Sequence, residues 1–221
     1  MAKLKYFFDT EFIEGKQAKT CLNVKVGETK PTIDLISIGI VCEDGREYYA
    51  VSKDFNLKEA WNRFDLKPDI ENGDTKKVYW IRENVLHPIF EEFYKDFNVS
   101  GNDFTFVNMQ KVINVIGKPN KQIADEVKDF VLRKDSSPIF YGYYSSYDWV
   151  VLCQLYGIMM HLPKGFPYYC RDLKQIADDI WETTGKDTRF DAPKNEHNAL
   201  EDAKWNFEFY KFLMERKNEK I

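Results

Sequence analysis

Apolar residues along this chain follow the period of a strand near its start and the period of a helix over much of the rest. Short β-branched and aromatic runs predict four strands, over Lys3–Asp9, Thr32–Cys42, Glu47–Ser52 and Pro138–Tyr141. Apolar residues at helical spacing predict five helices, over Val78–Phe97, Lys121–Lys134, Ser146–Leu155, Asp172–Trp181 and Leu200–Arg216. Strands followed by an alternation of helix and strand indicate an α/β domain, in which helices flank a mixed central sheet.

The length and composition are those of a single folded unit. The chain has 221 residues without an intervening stretch of low complexity, so we expect one domain over residues 1–221. Hydrophobic residues make up 43% and aromatic residues 16% of the sequence, which is enough for a substantial core. The net charge of −4 argues against a long duplex-binding surface, because such surfaces depend on many lysine and arginine contacts to phosphate.

The cysteines and the hydropathy pattern exclude several other classes of protein. Four cysteines are scattered without a Cys-x-x-Cys pair, so the sequence predicts neither a zinc ribbon nor a disulfide framework. Cys42 and Cys153 lie in apolar runs and are expected to be reduced core residues. No apolar run approaches the roughly 20 residues of a membrane span. A cleaved signal peptide is not expected, because cleavage would remove the first strand, so we expect a cytoplasmic protein.

The first strand is predicted to end in two carboxylates, in the segment Phe7-Phe8-Asp9-Thr10-Glu11-Phe12. Asp9 and Glu11 lie two residues apart, so on an extended backbone both side chains leave the same face. Adjacent acids repel each other unless a cation neutralises them, and Mg²⁺ and Mn²⁺ prefer carboxylate oxygens. An Asp-x-Glu pair alone is weak support for a metal site, because acids after strands are commonly solvated.

Two distant segments add residues of the same chemistry. Asp148 lies in the first turn of the helix predicted from Ser146. His197 lies in the loop that enters the last helix, and Asp202 lies inside the first turns of that helix. Each acid taken alone is explained by the helix dipole, which favours a negative charge at a helix N-terminus by about 0.3–1 kcal/mol. Together the three segments, in this order and on these elements, indicate a metal site.

The set Asp9, Glu11, Asp148, His197 and Asp202 resembles the catalytic residues of the DEDDh exonuclease superfamily. Over nearly the whole chain, the sequence is similar to the bacterial polyadenylate-specific 3′-exoribonuclease AS family, a relative of RNase T and oligoribonuclease. The segments that carry this similarity are Phe8–Ile13, Thr32–Gly39, Gly45–Val51, Glu83–Leu86, Tyr147–Val150 and His197–Leu200. The segment 97–119 departs from the family pattern as extra sequence between two helices.

The resemblance implies an RNase H-like fold of the DnaQ exonuclease type, with a mixed central sheet flanked by helices. It implies two Mg²⁺ or Mn²⁺ ions, with Asp9 as ligand to both, Glu11 and Asp202 at the ion beside the nucleophile, and Asp148 at the other. Histidine is the residue type that ordinarily titrates near neutrality, so His197 is the candidate general base. A homodimer and a preference for adenine are also implied by the resemblance.

Contacts with the substrate are predicted beside the metals. Thr10, Glu11 and Phe12, together with His197, are expected to receive the terminal nucleotide. The Phe12 ring can stack on a base, which is worth about 1–3 kcal/mol, and core packing is its alternative role. Four lysines form no clear stripe and are expected to be solvated: Lys53, Lys67, Lys76 and Lys77.

The sequence predicts a metal-dependent 3′→5′ exoribonuclease that degrades single-stranded RNA or 3′ overhangs to 5′-mononucleotides. A single-stranded DNA exonuclease is the alternative within the enzyme class, because the motifs do not read the 2′-hydroxyl. A non-catalytic nucleic-acid-binding module on the same fold is the alternative from another class, but it has no need of clustered, repelling acids. A structural metal domain lacks a closed ligand set.

Overall fold

The strand that carries Asp9 and Glu11 lies at the centre of a five-stranded sheet. The computed structural model describes residues 3–21, 24–69, 73–97, 103–133, 137–193 and 196–219. The described residues contain nine strands: β1 (Lys5–Gly15), β2 (Ala18–Cys21), β3 (Val24–Glu28), β4 (Thr32–Cys42), β5 (Glu47–Val51), β6 (Asp65–Pro68), β7 (Thr75–Val78), β8 (Ile139–Gly142) and β9 (Arg171–Asp172). The central sheet has the order β5–β4–β1–β8–β9, and β2–β3 and β6–β7 form two separate hairpins.

The central sheet is mixed, and helices accompany it along the chain. The pairs β1–β4 and β4–β5 are antiparallel, whereas β1–β8 and β8–β9 are parallel. The described residues contain seven α-helices: α1 (Leu57–Asn62), α2 (His87–Phe93), α3 (Phe106–Ile116), α4 (Asn120–Leu132), α5 (Ser146–Leu155), α6 (Leu173–Thr184) and α7 (Ala199–Asn218). A π-helical turn (Arg82–Leu86) leads into α2, and 3₁₀ turns cover Tyr94–Phe97 and Met159–His161. A mixed sheet between helices confirms the predicted α/β, RNase H-like architecture.

Side chains along β1 alternate between two hydrophobic clusters on opposite faces of the sheet. Tyr6 and Phe8 point to the face covered by α4 and α5, where both rings pack against Phe140. Phe7 points to the other face and packs with residues of α6 and α7. Because all three β1 side chains are fully buried, the strand is fixed from both sides and holds the acids that follow along it.

The first strand is longer than the sequence pattern predicted. The strand predicted to end at Asp9 continues to Gly15, so the prediction of its end was wrong, and both acids lie within the strand. Asp9 pairs with Gly39 of β4, and the register shifts between Glu11 and Phe12. Pairing continues past the acids because β4 supplies backbone hydrogen-bond partners along its whole length.

Other elements match the predictions to different degrees. The strands Thr32–Cys42 and Glu47–Val51 and the helix Ser146–Leu155 lie where they were expected. The two hairpins β2–β3 and β6–β7 and the helices α1 and α3 were not predicted. Helix α3 lies in the segment 97–119, and three of its side chains are buried in the core: Met109, Val112 and Ile113. Residues 98–102 of that segment lie outside the described residues.

All four cysteines are free thiols, of which Cys42 and Cys153 are buried. The prediction that these two are reduced core residues is therefore confirmed. Burial raises the pKa of the Cys153 thiol to about 11, so it is protonated at neutral pH. Among the helices in the described ranges, none is both long enough and apolar enough to cross a membrane.

Candidate active site

Three carboxylates meet where β1 passes the start of α7. Asp9 and Glu11 come from β1 and Asp202 from the first turn of α7, and one carboxylate oxygen of each lies within 4.8 Å of the others. Glu11 is only 8% exposed. The structure thus places Asp9 and Glu11 on one face of the strand and brings Asp202, from the last of the three predicted segments, against them.

Gly39 lets α7 approach the sheet beside Asp9. A Cβ atom built on Gly39 would lie 2.2 Å from the carbonyl oxygen of Ala199 and 2.4 Å from Cα of Leu200. Both atoms belong to the backbone of α7, so a side chain at position 39 requires the helix to move. Because Gly39 has no side chain, α7 can lie close to the sheet, and this distance sets how closely Asp202 approaches the acids of β1.

Two polar contacts fix the start of α7. Asn198 caps the helix, because its side chain accepts a hydrogen bond from the backbone N–H of Leu200. Farther along the helix, Nδ2 of Asn206 donates to the carbonyl oxygen of Phe8 at 3.1 Å. Asn206 is 1% exposed, and its Oδ1 has no hydrogen-bond partner among the described residues. The amide therefore ties α7 directly to the strand next to Asp9.

His197 precedes α7 in a left-handed backbone conformation, with a φ of 69°. Its backbone N–H donates to Oδ2 of Asp202 at 2.9 Å, so the loop closes onto the carboxylate. The imidazole lies edge-on to Trp80 with ring centroids 4.7 Å apart, and Nε2 is 3.8 Å from the Glu196 carboxylate. About a third of the His197 side chain is exposed, which puts the ring at the border between the acids and solvent.

Asp148 lies beside the three converging acids. It is 7% exposed, and its Oδ1 accepts hydrogen bonds from the backbone N–H of Thr10 at 3.1 Å and from Oγ1 of Thr10 at 2.6 Å. Thr10 is the residue between Asp9 and Glu11, so α5 is tied to the same short stretch of β1 that carries both acids. Asp148 does not belong to the group of oxygens that lie within 4.8 Å of one another.

Burial and mutual repulsion make the four acids hard to ionise. Burial, followed by repulsion from Asp148, Glu11 and Asp202, raises the pKa of Asp9 well above its usual value. Burial and repulsion from Asp202 raise the pKa of Glu11 to about 8. Burial raises the pKa of Asp202 to about 7 and that of Asp148 to about 6, although hydrogen bonds from Thr10 lower the latter. A divalent cation among these oxygens would favour the ionised forms, so the donor set suits Mg²⁺ or Mn²⁺.

The acids open into a cavity of about 680 Å³. The predicted residues Thr10, Phe12 and His197 line it together with the four acids. Side chains that the sequence analysis did not single out also line it: Lys174, Arg189, Phe190, Trp205 and Asn206. These five belong to no motif shared with the acids, and only the packing of the fold brings them to the site.

Phe12 contacts both the cavity and the core. Its ring lies 6.1 Å from that of Tyr147, and the side chain packs against the cluster covered by α4 and α5. Phe12 also lines the cavity that contains the acids. The two roles weighed for this ring, base stacking and core packing, are therefore compatible with one position.

The chain matches proteins of known description along most of its length. Residues 18–214 match the family described as the 3′-5′ exoribonuclease Rv2179c-like domain. Over 202 residues, the chain is 30% identical to the 3′-5′ exoribonuclease Rv2179c of Mycobacterium tuberculosis strain H37Rv and to the 3′-5′ exoribonuclease MT2234.1 of strain CDC 1551, covering 91% of this chain and 88% of each relative. The Mg²⁺- and Mn²⁺-bound structure of S. pombe Pop2p aligns with a TM-score of 0.43 and 15% identity, over 97% of this chain and 83% of that one. From the family match and the identity to the mycobacterial proteins, we conclude that the chain belongs to the Rv2179c-like 3′-5′ exoribonuclease domain family.

Proposed function

We propose that this chain is a metal-dependent 3′→5′ exoribonuclease of the DEDDh type. The observation that carries the proposal is the presence of His197 and four acids, Asp9, Glu11, Asp148 and Asp202, in one cavity. Membership in a family described by 3′-5′ exoribonuclease activity supports it. The narrower resemblance to polyadenylate-specific enzymes, with its preference for adenine and its homodimer, stays a prediction.

Asp9, Glu11 and Asp202 are the proposed ligands of a first Mg²⁺ or Mn²⁺ ion, because their oxygens converge. Asp148 is the proposed ligand of a second ion. Its hydrogen bond with Thr10, the residue between Asp9 and Glu11, holds it beside the proposed site of the first ion. When bound, two such ions stabilise the attacking and leaving oxygens of an in-line displacement at phosphorus. The acids must be ionised to act as ligands, so metal binding is expected to release protons.

His197 is the proposed general base. Its partial exposure lets the ring reach a water molecule, and the bond from its backbone to Asp202 keeps it beside the acids. The ring takes a proton from the attacking water, whose oxygen bonds to the phosphorus as the bond from phosphorus to the 3′ oxygen of the preceding nucleotide breaks. That oxygen takes up a proton and becomes the new 3′-hydroxyl end, and the last nucleotide leaves with its 5′-phosphate.

Single-stranded 3′ ends are the proposed substrate because aromatic side chains line the cavity. Stacking on rings such as Phe12 and Tyr144 tolerates any base, and Tyr144 is 62% exposed. Lys174 and Arg189 also line the cavity, each in an ion pair with a neighbouring aspartate, Asp178 and Asp187. Single-stranded DNA is the alternative substrate, because none of these features reads a 2′-hydroxyl. A non-catalytic binding module is disfavoured, because binding alone gives no reason to bury four acids together.

The proposal is tested with 5′-labelled RNA and DNA of matched sequence, incubated with and without Mg²⁺. We expect the RNA to shorten stepwise from its 3′ end, to release 5′-mononucleotides, and to do so only with the metal. A blocked 3′ end should prevent shortening. Cleavage of a circular RNA would contradict the proposal, faster shortening of DNA would favour the alternative substrate, and binding without cleavage would favour the binding module.

A further inference from the structure

A second groove lies next to the catalytic cavity and shares Phe12 with it. Its volume is about 500 Å³, and its lining residues are Phe12, Glu14, Arg63, Phe64, Asp65, Val78, Trp80 and Ile81. The Trp80 ring that lines this groove is the ring that contacts His197. The groove therefore begins at the border of the catalytic cavity and runs from there toward the hairpin β6–β7.

Two lysines of this hairpin stand on the face that looks onto the groove. Asp65 and Val78 are paired across the hairpin and line the groove. Side chains two residues apart along a strand share a face, so the paired Lys67 and Lys76 stand on the same face as Asp65 and Val78. Like charges directly opposite each other across a hairpin are unfavourable, and an anion between them removes the repulsion. The pair is therefore suited to a phosphate.

Two aromatic residues that line the groove are partly exposed. Phe64 is 40% exposed and Trp80 is 38% exposed. The ammonium group of Lys77 lies 4.3 Å from the centroid of the Phe64 ring, on the other face of the hairpin from Lys67 and Lys76. Aromatic rings interleaved with cations are typical of surfaces that bind single-stranded nucleic acids, because bases stack on the rings and phosphates contact the cations.

Acidic side chains line the groove itself, so the phosphate contacts are expected beyond it, on the hairpin. Glu14 and Asp65 are among the lining residues, whereas Lys67 and Lys76 lie farther along the hairpin. The Arg63 guanidinium is already engaged, because it donates to the carbonyl oxygens of Glu14 and Lys16 and to the carboxylate of Glu59. A strand leaving the catalytic cavity would thus stack on rings first and meet positive charge at the hairpin.

We infer that this groove binds the nucleotides on the 5′ side of the scissile bond, with a base on Trp80 and a phosphate between Lys67 and Lys76. The inference rests on the proposed function, because the position of the 3′ end fixes which part of the strand enters the groove. The unpredicted hairpin is what places these lysines, which the sequence analysis expected to be merely solvated.

The test measures binding of a fluorescent oligoribonucleotide at several salt concentrations, in a background made inactive by Asp202→Asn. Each phosphate neutralised on a single strand contributes about 0.7 to the slope of log affinity against log salt. Because the two lysines are inferred to bind one phosphate, we expect Lys67→Ala/Lys76→Ala to reduce that slope by about 0.7. Trp80→Ala should weaken binding by about tenfold without changing the slope, because stacking is not ionic. The control is Lys121→Ala/Lys128→Ala, two exposed lysines of α4 that line neither cavity.

An unchanged salt slope in Lys67→Ala/Lys76→Ala would overturn the inference. A slope that Arg189→Ala reduces and Lys67→Ala/Lys76→Ala leaves unchanged would place the phosphate contact inside the catalytic cavity instead. Shortening of RNA by the parent protein is measured separately. A protein that shortens RNA but shows no groove effect refutes only the groove, whereas one that shows the groove effect without shortening RNA refutes the proposed function.

Discussion

Among single residues, Asp202 is the one whose substitution tests most directly how repulsion among the acids lowers stability. We expect Asp202→Asn to abolish turnover, because a proposed metal ligand loses its charge. We also expect it to raise the Tm of the metal-free protein, because one source of repulsion on Asp9 and Glu11 is removed. The asparagine oxygen can still accept the N–H of His197, so the loop should keep its shape. Turnover assays and thermal melts in a chelator measure the two effects.

A matched control for this variant is Asp125→Asn, which changes an exposed acid of α4 that pairs with Lys121. It should alter neither turnover nor the Tm appreciably, because exposed ion pairs contribute little to stability. Near-normal turnover of Asp202→Asn at saturating Mg²⁺ would show that Asp202 is not a metal ligand.

The role of His197 as a base, and not as a ligand, is tested by His197→Asn. Asparagine tolerates the left-handed conformation that position 197 adopts, so the backbone bond to Asp202 should survive while the base is lost. Loss of a general base lowers the chemical step by about 10²–10⁴-fold, and added metal does not restore it. Calorimetry should show Mn²⁺ binding close to that of the parent, and the residual rate should rise with pH as hydroxide replaces the base.

His161→Asn is the control for this substitution, because His161 is exposed and lines neither cavity. It should keep the activity of the parent. Full recovery of His197→Asn by a high concentration of Mn²⁺ would instead make His197 a ligand of the metal.

At the level of elements, the contact between β4 and α7 controls the geometry of the site. Gly39→Ala places a methyl group against the backbone of Ala199, so we expect α7 to shift away from β1. Overpacking of this kind costs about 1–3 kcal/mol of unfolding free energy, and the shift should also weaken Mg²⁺ affinity because Asp202 moves with the helix. Thermal melts and calorimetric titration measure both.

Gly185→Ala is the matched control for the glycine substitution. Gly185 ends α6 with a φ of 68°, and a Cβ there would meet nothing within 4 Å. The strain of a left-handed alanine should lower the Tm while metal affinity stays at the parental value, because α7 is not displaced. Equal metal affinities of Gly39→Ala and the parent would show that the close approach of α7 does not set the site.

How far each element could be predicted depends on how local its signal is. Ser146–Leu155 and the β4–β5 hairpin follow from continuous apolar runs, and their bounds were predicted closely. Strands β6 and β7 consist largely of exposed residues, so the burial pattern that identifies most strands is missing from them. The end of β1 was missed for another reason: it is set by pairing with β4, which is not visible in the sequence of β1 itself.

The same distinction applies to the site. Asp9, Glu11 and Asp148 could be singled out because each lies in a short motif next to an apolar run. Lys174 and Asn206 reach the cavity only because α6 and α7 pack against the sheet. Asn206 in particular gives no signal in the sequence, since a polar residue inside a long helix is ordinarily a solvated one.

For the whole molecule, the acid cluster makes stability in the absence of metal depend on pH. In an unfolded chain Asp and Glu titrate near about pH 4, whereas in the folded protein Asp148, Asp202 and Glu11 have pKa values of about 6, 7 and 8. Because the folded values are the higher ones, the contribution of these groups to stability is fully present below about pH 4 and is lost as the pH rises through about 6 to 8.

We therefore expect the Tm of the metal-free protein to be lower at about pH 8 than at about pH 5. For a domain of this size, each kcal/mol of unfolding free energy that is lost lowers the Tm by about 2–4 °C. Thermal melts in a chelator measure the fall, and added Mg²⁺ should remove most of it, because the ionised acids then bind the metal. Glu126 has the opposite effect. Burial alone would raise its pKa, but hydrogen bonds, first among them one from Lys118, lower it on balance. The contribution of Glu126 to stability is therefore present at neutral pH and is lost only toward acid pH. A Tm that rises over this pH range in the chelator would contradict the assignment.

The hydrogen bond from Asn206 to the Phe8 carbonyl oxygen joins residues that are 198 positions apart in the sequence. A ribosome synthesises β1 first and α7 much later, so both β1 acids leave the ribosome long before His197 and Asp202 exist. An incomplete chain has neither His197, the proposed base, nor Asp202, the third converging carboxylate, whatever else it has folded. With the proposed site residues, a growing copy of this chain is therefore expected to be inactive on RNA, and to become active only when the last helix has been made and has closed onto the first strand.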